Sequence, residues 1–287
     1  MTINDSLNLI RQHLTTARGL SQQCGEAFAK VEEDGDAAGT IVSGFSGEVY
    51  QASSDDESTN SADAGMSATR GLGALGGRHE ATSKDLGTVK SLEPQLAEAL
   101  KAAQAAVYTL GIPDVDSWFV RNALDSAQRE RGYAEDSSVE IAASLRDAGY
   151  EFDLARRSAG AVAGDKDGSD VSFEGERLYQ SVDNIDDAFQ QVGKSAGHGQ
   201  AQQGQVGDFV DQALRAVDAL QSEFAQPAPV EPAPGMADSL PEPPVWPPTA
   251  PLPGSQPVQP ISTPVPAPGG NSPAPQPDGF FLKPWQG

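Results

Sequence analysis

The stretch "INDSLNLIRQHLTTARGLSQQCGEAFAKV", residues 3–31, decides how the chain is read. Stepping from Ile3 alternately by four and three residues lands on Leu7, Ile10, Leu14, Ala17, Ser21, Cys24, Phe28 and Val31. Eight of these nine positions are apolar, while the residues between them are mostly polar or charged. A period of 3.5 matches one face of a helix wound against other helices, and no strand shows it. The same stepping continues through Gly35, Ala38, Val42, Phe45 and Val49 to Ala52.

Three further runs repeat the pattern: Ala68 to Leu110, Val120 to Val162, and Val171 to Phe224. Of the 57 seam positions in the four runs 47 are apolar, against 38% for the chain, so the register is not an accident of composition. The spacing predicts helices over about 3–52, 66–110, 117–162 and 171–225, each roughly 65–80 Å long at 1.5 Å per residue. Short connections between long helices favour up-down-up-down packing. The fold class is therefore all-α: an elongated antiparallel four-helix bundle or coiled coil. "SSDDESTNSADAG" (53–65), "GIPDVDS" (111–117) and "GDKDGSD" (164–170) read as the connections, with Gly111 stopping one helix and Asp116 or Ser117 capping the next. Gly35 and Gly39 are candidate breaks in the first helix. Pro94 is a candidate kink or restart in the second, with Ser91 as its cap. Gly197, Gly199, Gly204 and Gly207 mark the middle of the fourth helix as its weakest part.

Composition changes sharply near residue 226. Twenty of the 22 prolines lie between Pro227 and Pro284, which divides the chain into an acidic helical region (1–226), a Pro-rich disordered linker (227–277) and a short end segment (278–287). The net charge is −22. The tail carries Glu231, Asp238, Glu242 and Asp278 against Lys283, so all but −3 of it falls on the first region. Such a surface repels phosphate backbones and anionic head groups, which argues against nucleic acid and membrane partners. The single cysteine, Cys24, excludes an internal disulfide. No apolar run approaches the ~20 residues of a membrane-spanning helix, and the N-terminus reads as lacking a classical signal peptide.

Few residues resemble site chemistry. "GDKDGSDVSFEGE" (164–176) places Asp165, Asp167, Asp170, Glu174 and Glu176 close together. An EF-hand loop starting at Asp165 needs glycine at its sixth position, where Asp170 stands. A turn followed by a helix with Glu174 and Glu176 near its positive end accounts for the same residues. The three histidines, His13, His79 and His198, lack ligand spacing, and His79 reads as a packing residue. Arg131 and Glu93 occupy seam positions, where they either pair, lie near open bundle ends, or specify register. Cys24 reads as a small buried hydrophobe with no base beside it in sequence. Trp118 and Phe119 read as a plug at the bundle end, with a binding patch as the alternative. No cofactor or metal site is expected. The segment "DGFFLKPWQG" (278–287) differs from everything before it: Phe280, Phe281, Leu282 and Trp285 stand at the end of ~50 residues of polyproline-like spacer, the arrangement of a docking peptide for another protein, the alternative being an end that folds back on its own bundle.

Long Ala- and Gly-rich helices followed by a Pro-rich extension resemble the helical substrates of type VII secretion in high-GC Gram-positive bacteria, the WXG100-like, LXG-like and PE/PPE-like group. The likeness covers residues 1–226. The group's Trp-x-Gly signature occurs here only as Trp285-Gln286-Gly287, not between two helices. Its Tyr-x-x-x-Asp export pattern occurs as Tyr179 and Asp183 in "YQSVD". The resemblance implies export with a partner and no catalysis. The sequence thus reads as a non-enzymatic interaction or structural protein. It recruits another protein through its tail, associates as a homo- or hetero-oligomer through its helices, and is cytoplasmic or exported by a type VII-like route. The alternatives are an accessory or cargo-type protein of a phage, mobile-element or compartment assembly, and an enzyme or metal-binding bundle.

Overall fold

A computed structural model describes residues 2–53, 61–164 and 171–225, all within the first of the two units into which the chain divides, Met1–Val230. The linker 227–277, the end segment 278–287 and the acidic residues Asp165, Asp167 and Asp170 lie outside the described residues. Four helices account for nearly all of the described residues, and no strand occurs among them. They are α1 (Ile3–Ser53), α2 (Ser61–Tyr108), α3 (Asp114–Gly164) and α4 (Val171–Ala225). Each is 48 to 55 residues long.

The apolar seam is what the helices bury. In α1 every seam position from Leu7 to Val49 is buried. Across all four helices the described exceptions are Ile3 and Phe224 at the ends, with His79 and Arg131 half-buried. α1 packs against α2 and α4, and α3 packs against the same two, so the four close a ring; the α2–α3 seam is the sparsest. Arg11 ion-pairs with Asp218, Arg18 with Asp211 at 3.0 Å, and Ser21 donates to the Gln203 carbonyl at 2.7 Å. Partner numbers on α4 thus fall as they rise along α1. From α2 to α3 they fall likewise, with Gln104 donating to Asp125 at 2.7 Å and Ser138 to Glu93 at 3.3 Å.

α1 runs unbroken through Gly35 and Gly39, and at Gly35 the missing side chain lets α1 and α4 approach closely. A Cβ on Gly35 would stand 3.1 Å from the backbone nitrogen of Gly193 on α4. α2 also continues through Pro94. Ser91 does not restart it; its hydroxyl donates to the Thr88 carbonyl at 2.8 Å, and the Gln95 side-chain amide donates to the Ser91 carbonyl at 2.8 Å. α2 begins at Ser61, five residues before the expected start. Ala64 packs on Val162, and Gly65, one heptad step before Ala68, lies against Ala163 of α3. At the α2–α3 connection Gly111 takes φ 68°, the left-handed conformation that ends a helix at glycine. The cap expected at Asp116 or Ser117 is not there. The amides of Asp116 and Ser117 both donate to the Pro113 carbonyl, so α3 starts from the proline.

Candidate functional site

The core is not continuous. One apolar cluster holds Phe28, Phe45, Leu72, Ile141, Phe152 and Phe189, and the other holds Leu7, Ile10, Leu100, Leu124 and Val210. Between them each helix contributes polar side chains at one level: Ser21 and Cys24 from α1, Glu93 from α2, Arg131 and Ser138 from α3, and Gln203 from α4. Hydrogen bonds cross three of the four seams at this level. Ser21 Oγ donates to the Gln203 carbonyl, with Gln203 Oε1 at 3.2 Å; Ser138 Oγ reaches Glu93; Ser137 Oγ reaches Gln202 Oε1 at 3.2 Å.

Two atoms in this layer are buried without a partner, Glu93 Oε1 and Gln203 Nε2. Glu93 is 7% exposed, and burial pushes its carboxyl up from 4.5 to about 6. The Ser138 hydroxyl opposes that rise, the charge of Glu135 adds to it, and Arg131 and Lys90 pull against it. Arg131 and Glu93 do not form a pair, and both sit at mid-bundle, away from the open ends. The Arg131 guanidinium instead holds Glu135 at 2.9 Å and Gln128 at 3.4 Å. Cys24 is fully buried, and burial, reinforced by the nearby Glu93 charge, pushes its thiol up to about 12. The thiol therefore stays protonated at neutral pH, a packing group and not a nucleophile.

The other sequence candidates are dispersed. Tyr179 is half-buried on α4 and meets Tyr50 of α1 edge-on with ring centroids 5.7 Å apart. Asp183, one turn further on, is exposed on the same groove, beside Asp186. Burial raises the Asp186 carboxyl above its ordinary value, Gln190 donates against that at 2.7 Å, and Asp187 and Asp183 add to it. His79 meets the Leu145 carbonyl at 2.8 Å and lies edge-on to Phe152. Glu174, at the start of α4, accepts from Ser158 at 2.7 Å. Among the described residues no group of three or more His, Cys, Asp or Glu side chains is set to hold a metal ion. None of the described helices is long and apolar enough to cross a membrane.

Trp118 and Phe119 do not plug the bundle. They are 55% and 68% exposed, stacked edge-to-face on each other at 5.0 Å. Seam positions in this turn are Val120 and Leu124, so the two rings fall on the outer face of α3. Phe119 borders a groove whose other wall is the end of α4, including Leu220 and Glu223, and Phe224 nearby is also exposed. The docking candidates Phe280, Phe281, Leu282 and Trp285 lie outside the described residues.

The sequence singled out Glu93, Arg131 and Cys24 as seam residues but not the layer they share, nor the part played by Ser21, Ser138 and Gln203. The signal was available as polar interruptions of the seam in every run, Ser21, Glu93, Arg131 with Ser138, and Gln203 among them. No protein-family model, curated protein or solved structure matches the chain.

Proposed function

We propose that the chain is a non-enzymatic interaction protein: a heptad-packed antiparallel four-helix bundle that carries a Pro-rich arm and recruits another protein through the segment 278–287. The carrying observation is the placement of exposed aromatic side chains on the described unit. Trp118, Phe119 and Phe224 gather where α3 begins and α4 ends, and the chain runs on from α4 toward Phe280, Phe281, Leu282 and Trp285. Aromatic rings left in water on a −22 molecule, here as at Tyr50, Tyr150 and Phe173, suit a protein partner better than a charged polymer.

In this reading the tip supplies the anchors. Buried aromatic anchors contribute about 2 kcal/mol or more each, so changing both Phe281 and Trp285 to alanine is expected to weaken recruitment by about three orders of magnitude. Affinity capture from the native host, with full-length wild type and F281A/W285A protein side by side, tests this. A partner retained by wild type and lost by the double variant, with unchanged helicity and melting, is the expected result. Equal retention by both proteins contradicts the role of the tip.

The resemblance to exported helical substrates supports a second reading, in which Tyr179 and Asp183 form an export signal. It is favoured by their common groove on α4, one turn apart, with Asp183 open to solvent. Comparing culture filtrate with lysate for wild type and Y179A in the native host tests it; accumulation of both proteins in the filtrate would dismiss the signal.

A further inference from the structure

The polar layer coincides with the weak points of all four helices. Gly19 and Gly25 flank it in α1, Pro94 adjoins Glu93 in α2, Gly132 follows Arg131 in α3, and Gly199 and Gly204 bracket Gln203 in α4. Each such residue lowers helix stability locally. At the same level the apolar contacts are interrupted, and two buried polar atoms go unpartnered. A bundle is most easily opened where propensity, packing and hydrogen bonding all fail together.

Ser138 holds the key geometry. Its hydroxyl carries one hydrogen, yet two acceptors lie within reach: the Glu135 carbonyl at 2.9 Å and Glu93 Oε2 at 3.3 Å. The nearer carbonyl takes the hydrogen more often, so an ionised Glu93 is left with half of a long bond. The groups around Glu93 do not repair this. From α3, Arg131 is engaged by Glu135, whose own charge is unfavourable; from α1 comes the protonated Cys24 thiol; α4 brings the uncharged Gln203; and Lys90 lies one turn away on α2 itself. A proton changes the count. A neutral Glu93 no longer buries a half-satisfied charge beside the unpartnered Oε1, and its carboxyl hydrogen can be donated to Ser138 Oγ.

We propose that Glu93 is a proton-set latch at the α2–α3 seam, which holds the polar layer closed under mildly acidic conditions and leaves it as a hinge at neutral pH. The sign follows from linkage. An acid that holds its proton more tightly when folded stabilises the folded state as pH falls, with the effect growing from about pH 7 down through 6 toward 4.5. With those two values the closed form gains about eightfold between pH 7.5 and pH 5.0.

Amide hydrogen exchange on the full-length protein at pH 7.5 and 5.0, corrected for intrinsic rates, reads this directly. Glu93→Gln is the informative variant, because the glutamine amide donates to Ser138 at every pH. Wild-type amides around Glu93 and Ser138 are expected to gain about eightfold in protection relative to those of E93Q on going to pH 5.0. Referring wild type to E93Q removes the general benefit of neutralising a very acidic surface. Ser138→Ala, which keeps the buried carboxyl but removes its one donor, is expected to enlarge that gain. The latch is overturned if wild type and E93Q share one pH dependence, or if S138A loses the effect.

Discussion

Gly199→Ala is expected to destabilise the bundle, and the sign of its effect to reverse once Phe28 is alanine. A Cβ on Gly199 would stand 2.5 Å from the Phe28 ring, which is fully buried in the larger apolar cluster and has nowhere to retreat. Overpacking of this kind costs about 1–3 kcal/mol, against a helix-propensity gain of about 1 kcal/mol, so a net loss of up to about 2 kcal/mol follows. Phe28→Ala alone removes a large buried ring and is expected to cost about 3–5 kcal/mol. In that background the clash is gone and only the propensity gain of Gly199→Ala remains. The coupling between the two sites is therefore favourable to the double variant, at about 1–3 kcal/mol. Gly207, where an added Cβ meets nothing within 4 Å, is the control, and Gly207→Ala should stabilise by about 0.5–1 kcal/mol. Urea midpoints at constant slope measure all four variants. Additive losses at Gly199 and Phe28 would mean that the two residues do not share one space.

Pro94→Ala is expected to raise the unfolding free energy by about 1–2 kcal/mol. The proline supplies no amide to the carbonyl one turn back and crowds it, a defect of about 3 kcal/mol in an ordinary helix interior. Two effects reduce the recoverable part. Gln95 already satisfies a neighbouring carbonyl, that of Ser91, at 2.8 Å, and proline stiffens the unfolded chain by about 0.4–1 kcal/mol. Because Pro94 adjoins Glu93, the substitution should also slow exchange of the amides on either side of the polar layer. A stability unchanged or lowered by Pro94→Ala would show that α2 depends on the irregularity.

Periodicity says which face of a helix is buried, and here it did so from Leu7 to Val49 without a miss. It does not say at which level two helices meet, because axial stagger leaves no trace in a 3.5-residue repeat. That is why Glu93 and Arg131 were visible as seam residues while their separate partners, Ser138 for one and Glu135 for the other, were not. The same blindness made Gly199 read as a weak point, although across the seam it is also the socket for Phe28. The early start of α2 escaped notice because its first turn is held by Ala64 on Val162 and by Gly65 against Ala163, contacts too small to register as an apolar pattern. Trp118 and Phe119 were misplaced for a different reason. Their hydrophobicity argued for burial, while the register of Val120 and Leu124 placed them outside, and register won.

The central claim is that the aromatic tip is held available for a partner and does not pack on its own bundle. Proton spectra of the Phe280, Phe281 and Trp285 rings in the free full-length protein test it most directly. The account predicts ring shifts at random-coil positions, sharp lines, and no change when Trp118 and Phe119 are replaced by alanine. Rings shifted from random-coil values in the absence of any partner would contradict it.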